Sequence, residues 1–335
     1  MAGRGRFHGG QWRVQAARLA LCMTMHRSSW ATLDGCQCMK VCAYKQVDVF
    51  TSRRFFGNAL AVILDADGLE GEQMQRVANW MNLSETAFVL APTQAQASYR
   101  IRIFTPRSEL PFAGHPSVGT AHALLETGMI SAGPGLVQEC AAGLLPLRVL
   151  GDGADRRIFV RAPRARLLAA ESVPAQDVAV ALATQLPVAN QPRIVDNGTH
   201  WLVCDLGAAG AVRALDPDMR AVAALSARAN VVGVTVFGRA HDADHALSVR
   251  AFCPGDGIPE DPVTGSANAA IGAYLLATGQ LDAIGAEFRV SQGREIGRDG
   301  TIDVRVDVAS GDVEIGGQSV TCIDGTFLLP PERAR

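Results

Sequence analysis

At 335 residues, with 48% hydrophobic and 19% charged side chains, the chain can bury the core of one large or two ordinary domains and lacks the composition of a disordered protein. A formal charge of −2 leaves no electrostatic footprint for nucleic acid, and no run of about 18 apolar residues offers a membrane span. Eight cysteines, at 22, 36, 38, 42, 140, 204, 253 and 322, form no CxxC pair and no Cys/His cluster with zinc spacing. They read as free thiols in a reducing, cytoplasmic setting, with no metal, and small-molecule chemistry is the class that remains.

Residues 1–38 differ from the rest. They hold five arginines against one acid, Asp34, together with Trp12 and Trp30. A secretory signal is weak, because no clean apolar run precedes a small-residue cleavage site. A transit peptide is one reading. The preferred one is a disordered extension translated from upstream of the natural start, with Met39 as the first residue.

From Val41 the pattern becomes regular. Strands are predicted over 41–50 and 59–64, then a helix over 70–81 from apolar residues at 74, 77, 78 and 81. Strands at 86–90 and 99–104 lead to a helix over 116–127, closed by Gly128. Strands follow near 136–140, 144–150 and 157–161. The second half gives strands near 193–196, 201–206, 231–237 and 246–252, a helix over 217–228, a helix from Gly265 to Gly279, and β segments within 287–328. No GxGxxG follows a strand, so a doubly wound nucleotide fold is not expected.

A repeat organises these elements. Arg102, Phe104 and Pro106 match Arg250, Phe252 and Pro254 at an offset of 148. After a loop three residues longer, Gly114, Leu124, Leu125, Thr127 and Gly128 match Gly265, Leu275, Leu276, Thr278 and Gly279 at an offset of 151. Internal duplication explains this order. It places two equivalent loops, Pro106–His115 and Pro254–Ser266, at one cleft, each feeding a helix N-terminus. Free N–H groups there favour an anion, so a small carboxylate is the expected ligand, with no cofactor.

Four side chains at this cleft could carry chemistry. His115, in the first turn with Pro116 at the first helical position, is expected to be neutral under the helix dipole. Ser266 is its counterpart. Asp261 could be a site residue, a turn residue or a helix cap, and Glu260 beside it a solvated charge. Glu85, between Leu83 and Ala87-Phe88-Val89, would have a raised pKa if buried and could shuttle protons near neutrality. By residues alone an exposed loop glutamate is the stronger reading. Ser84 and Thr86 are expected to satisfy local backbone groups.

The stretches VDVFTSRRFFGNALAVILDADGL, NLSETAFV, FAGHPSVGTAHAL, EDPVTGSA and QGREIGR, spanning about Met39 to Leu329, resemble the phenazine-biosynthesis PhzF-like family. The resemblance implies an α+β fold like that of diaminopimelate epimerase: two pseudo-symmetric lobes, each a β-sheet wrapped around a central helix. The boundaries would be 39–155 (with 321–329 crossing back) and 156–320. The family's characterised member isomerises trans-2,3-dihydro-3-hydroxyanthranilate without metal or cofactor. By matching, Glu85 becomes the acid/base, His115, Asp261 and Ser266 position substrate and relay protons, and Gly114 and Gly265 let backbone N–H groups approach its carboxylate. A homodimer is also implied. The related diaminopimelate epimerases place a Cys at each helix start. His115 and Ser266 stand there instead, so two-thiol racemisation is not expected.

Two alternatives stay open. One is an isomerase or epimerase of another amino or hydroxy acid, distinguished by side chains near Arg107, Ser108 and Gly255–Ile258. The other is a binding protein of the same fold without catalysis.

Overall fold

The computed structural model describes residues 39–133, 135–168, 173–187, 191–240 and 244–329, so the expected disorder of 1–38 lies outside the described residues. Tyr44–Asp324 form one compact body. Lys40–Ala43 and Gly325–Leu329, the outer ends of the first and last strands, belong to a second unit.

The first half of the body runs β1 (Lys40–Val49), β2 (Asn58–Ile63), α1 (Gly71–Met81), β3 (Glu85–Leu90), β4 (Tyr99–Phe104), β5 (Glu109–Leu110), α2 (Gly114–Glu126), β6 (Leu136–Cys140), β7 (Gly143–Leu150) and β8 (Arg157–Arg161). The second half runs β9 (Arg166–Leu168), α3 (Ala175–Ala181), β10 (Arg193–Asp196), β11 (His200–Ala208), α4 (Ala209–Arg213), α5 (Met219–Ala229), β12 (Gly233–Arg239), β13 (Leu247–Cys253) and β14 (Ile258–Asp261). It continues with α6 (Gly265–Ala277), β15 (Glu287–Gln292), β16 (Gly300–Val306), β17 (Val313–Gly317) and β18 (Ser319–Leu329). The long periodic elements lie within a few residues of their predicted places. The short β5, β9, β14, α3 and α4 have too few residues to show a period.

The strand pairings repeat. In the first half β1–β2 is antiparallel, β2–β3 parallel, β3–β4 antiparallel, β4–β6 parallel, and β6–β7–β8 antiparallel. In the second, β10–β11, β11–β12, β12–β13, β13–β15 and β15–β16–β17 follow the same sequence of directions. The short β5 and β14 pair with β4 and β13, and β8 pairs antiparallel with β17. The repeat is therefore one of topology as well as of sequence.

The two 13-residue helices α2 and α6 occupy corresponding places. In α2 every residue from His115 to Leu125 is buried, and in α6 Ala267–Leu275 are all buried. A helix without a polar stripe must be covered on all sides, which the strands provide. Small residues make this possible: a Cβ on Gly119 would fall 2.6 Å from a Val49 methyl and 2.7 Å from a Leu60 methyl. Both helices end as their glycines foretold, with Gly128 and Gly279 at φ of 70° and 69°. The outer helices α1 and α5 are amphipathic, burying Met74, Val77 and Ala78, and Val222, Leu225 and Ser226. Each stops at a left-handed asparagine, Asn82 or Asn230. These lie 148 apart in the sequence, so that offset extends upstream over the whole strand–helix unit.

Candidate active site

The first turns of α2 and α6 meet. A Cβ built on Gly265 would lie 3.7 Å from the Cα of Gly114, and Ile315 Cδ1 would press on a Cβ at either glycine, at 3.1 and 3.2 Å. Glycine at both starts leaves Ile315 its place without displacement. Neither helix has a side-chain cap. Among the described residues, the N–H groups of Gly114, His115, Gly265 and Ser266 thus remain free donors in one small region. Pro116 falls third in α2 rather than first, where its missing N–H still costs no helix bond.

These starts border a cavity of about 330 Å³. Leu110–Ala113, Ala142, Ala162–Pro163 and Ile315 give it an apolar wall; Glu85, His115, Asn197–Thr199, Asp261, Thr264 and Ser266 give the polar one. All six residues singled out from the sequence (Glu85, Gly114, His115, Asp261, Gly265 and Ser266) line it. Among the described residues no lysine or arginine does, so an anion here would rest on backbone N–H groups and the positive helix ends.

Glu85 opens β3, directly after the α1 turn, and its side chain is only 16% exposed. Burial pushes its carboxyl up to about 7, against a smaller downward pull from the Ser84 hydroxyl. Burial also lowers His115 to about 4, with Asp261 pulling the other way, so desolvation keeps the imidazole neutral. Glu85 Oε2 and His115 Nε2 face one another at 3.5 Å, and both are buried without a hydrogen-bond partner among the described residues. Two adjacent unpartnered polar atoms in a cavity are poised for a ligand.

Asp261, at the end of β14, is a structural hub and not a helix cap; Thr264 holds the cap position of α6. Burial raises its carboxyl, partly offset by the Thr264 hydroxyl that donates to Oδ2 at 2.5 Å. Asn58 donates to Asp261 Oδ1 at 3.2 Å and to Val263 O at 3.0 Å, and accepts from Ser84 Oγ at 3.3 Å. Gln292 donates to Asp261 O and Thr264 Oγ1 and accepts from Thr264 N and Asn268 Nδ2. Ser84 therefore serves a side-chain network rather than local backbone, and Thr86 Oγ1 is buried without a partner among the described residues. Asn58, Thr264 and Gln292 escape a reading of the sequence for site residues, although all three lie in the family-like stretches.

Other expectations need correction. Glu260 is not solvated: it makes a bidentate ion pair with Arg250 at 2.9 and 2.7 Å, with side chains 6% and 8% exposed. Among the described residues, Arg107, Ser108, Gly255, Gly257 and Ile258 do not line the cavity; Leu110–Ala113 and Asn197–Thr199 do. Cys253, at the end of β13, is buried, and no described cysteine reaches the cavity.

A topological repeat thus brings two uncapped helix starts and a carboxyl–imidazole pair to one cavity. Comparison with known proteins gives the family. The model of the phenazine biosynthesis-like proteins (PhzC-PhzF) matches residues 47–325, and the chain belongs to that family. It is 38% identical over 295 residues to "Antisense-enhancing sequence 1" of Schizosaccharomyces pombe, covering 86% of this chain and 99% of that one. It is 34% identical over 290 residues to a trans-2,3-dihydro-3-hydroxyanthranilate isomerase of Pseudomonas chlororaphis, covering 85% and 99%. Among solved structures, the Bacillus anthracis PhzF-family protein aligns with a TM-score of 0.76 at 28% identity, over 87% of this chain and all of that one.

Proposed function

We propose that the protein is an isomerase of a small carboxylate that moves a proton between carbons with Glu85 as acid and base, without a cofactor, on two pseudo-symmetric lobes that share the cavity. The observation that carries this reading is the buried Glu85 carboxyl, lifted to about 7 and facing the neutral His115 across an unfilled polar contact. A group with that pKa is half-protonated near neutrality, so it can both take and return a proton. The free N–H groups of Gly114 and Gly265 would hold the substrate carboxylate and stabilise charge that develops on it during proton removal. His115, neutral, would donate or accept a hydrogen bond beside the reacting carbon, and Asp261, held by Asn58 and Thr264, would fix the polar wall. The apolar wall suits a hydrocarbon ring or chain. Relatives bear on the substrate: the Pseudomonas chlororaphis protein, among others, is named for trans-2,3-dihydro-3-hydroxyanthranilate, which has the carboxylate and the ring this cavity would take.

The test is proton NMR of trans-2,3-dihydro-3-hydroxyanthranilate in D2O with wild type and Glu85→Gln. Conversion by wild type alone, with deuterium entering the ring, supports the reaction and the shuttle together. Absence of conversion by wild type removes this substrate, and equal conversion by both proteins removes Glu85 from the mechanism.

A further inference from the structure

The two halves treat corresponding positions at the cavity differently. Glu85 is the first residue of β3, in register with Leu60 of the parallel neighbour β2. The residue 148 further on is Gly233, the first of β12, in register with Trp201 of the parallel neighbour β11. A Cβ on Gly233 would lie 3.0 Å from Trp201 Cζ3 and 2.3 Å from Phe252 O, so the absent side chain makes room for the indole. Trp201 is 2% exposed and does not line the cavity. Its Nε1–H donates to Ser266 Oγ at 3.1 Å. Asn197 Nδ2 holds the backbone of the same residue, donating to Ser266 O at 2.8 Å, and is itself braced by Thr199 Oγ1.

An indole nitrogen can only donate, so Ser266 Oγ must accept this bond. One lone pair is spent and the hydroxyl hydrogen is turned away from the ring. Among the described residues no protein acceptor takes that hydrogen, and Ser266 lines the cavity. We infer that Trp201 is a positioning residue: through Nε1–H···Oγ it fixes Ser266 as a hydrogen-bond donor to the bound substrate. Ser266 is then not a base, and at this position the second half of the site orients the substrate. The inference depends on the proposed isomerase reading for its kinetic consequence, and on the hydrogen bond alone for its structural one.

A double-mutant cycle tests it. Trp201→Phe keeps an aromatic ring and removes the donor; Ser266→Ala removes the acceptor. With trans-2,3-dihydro-3-hydroxyanthranilate as substrate, Trp201→Phe is expected to lower kcat/KM about 3- to 10-fold in the Ser266 enzyme, the range of one hydrogen bond. In the Ser266→Ala background it is expected to change nothing further. An equal loss in both backgrounds, or no loss in either, overturns the inference, because a ring that only fills space acts regardless of residue 266. The indole N–H resonance of Trp201, identified by its disappearance in Trp201→Phe, should move upfield in Ser266→Ala; an unmoved resonance also overturns it. If wild type does not turn this compound over, the substrate reading falls, and the indole resonance alone decides the positioning.

Discussion

The same arginine–glutamate pair occurs twice, in β4–β5 and in β13–β14, and the two copies do not weigh the same. Arg102 and Glu109 make a bidentate pair at 2.7 Å with side chains about one-third exposed (33% and 35%). Arg250 and Glu260, displaced by 148 and 151 residues, repeat the geometry at 2.9 and 2.7 Å with side chains 8% and 6% exposed. Each arginine also lies over the phenylalanine two residues on, 5.1 and 5.0 Å from the ring centroid. Arg250 further donates to Leu215 O at 2.7 Å, tying β13 to the end of α4. One exposed and one buried version of a single motif show that the duplicated frame was kept while its surroundings diverged. The cavity shows the same: Glu85 and His115 on one side answer to Gly233, with Trp201 in its space, and Ser266 on the other.

The largest expected effect falls on the Glu85 side. Glu85→Gln should lower turnover by about 10²–10⁴, the range of a lost general acid/base, whereas Ser266→Ala should lose much less. Steady-state kinetics on both variants checks the ranking, and a greater loss at Ser266 would reverse the assignment of the two sides. For the ion pairs, Glu260→Ala leaves Arg250 buried without its counter-charge and should cost about 3–5 kcal/mol. Glu109→Ala, at a partly solvated pair, should cost no more than about 1 kcal/mol. Urea unfolding of the two variants side by side makes the comparison quantitative, and equal losses would mean that burial does not distinguish them.

The pH dependence of stability should also differ among the site residues. Glu85 is raised in the folded state, so its contribution is present below its unfolded value near 4.5 and is lost as pH rises through about 7. His115 is depressed, so its contribution is present above 6.5 and is lost as pH falls through about 4. Relative to wild type, Glu85→Gln should therefore gain stability between about pH 5 and pH 8, by roughly 1–3 kcal/mol. His115→Asn should show the opposite trend. Trp201→Phe should change stability equally at both pH values, because nothing titrates in the Trp201–Ser266 bond. Unfolding curves at the two pH values read all three. The smallest expected effect is at the glycines. Gly114→Ala and Gly265→Ala each force Ile315 Cδ1 to give by a few tenths of an ångström, raising KM severalfold, and Ile315→Val should relieve both.

Much of this protein is written locally. Periodic hydrophobicity located α1, and β-branched and aromatic runs the long strands, because such local patterns record what a segment will be buried against. Gly128 and Gly279 marked the helix ends because the left-handed turn demands them, and the offsets of 148 and 151 between the R-x-F-x-P and LL-x-TG copies exposed the duplication. The family-like stretches brought Glu85, His115, Asp261 and Ser266 together as candidates, and those residues do share a cavity.

Other properties exist only once the chain is folded. By its neighbours in sequence Glu85 could have been a loop carboxylate, and its burial, which raises its pKa, exists only once β3 is paired with β2 and His115 of α2 faces it. Glu260 reads as solvated charge until Arg250 is placed beside it across the β13–β14 turn. Asn58 and Gln292, about 234 residues apart, converge on Asp261 through long-range hydrogen bonds that leave no local pattern. The indole of Trp201 reaches Ser266 only because Gly233, on a neighbouring strand, has no side chain. Propensity and periodicity are properties of a few consecutive residues, whereas desolvation, charge pairing and hydrogen-bond direction belong to groups that meet only when the strands pack around α2 and α6.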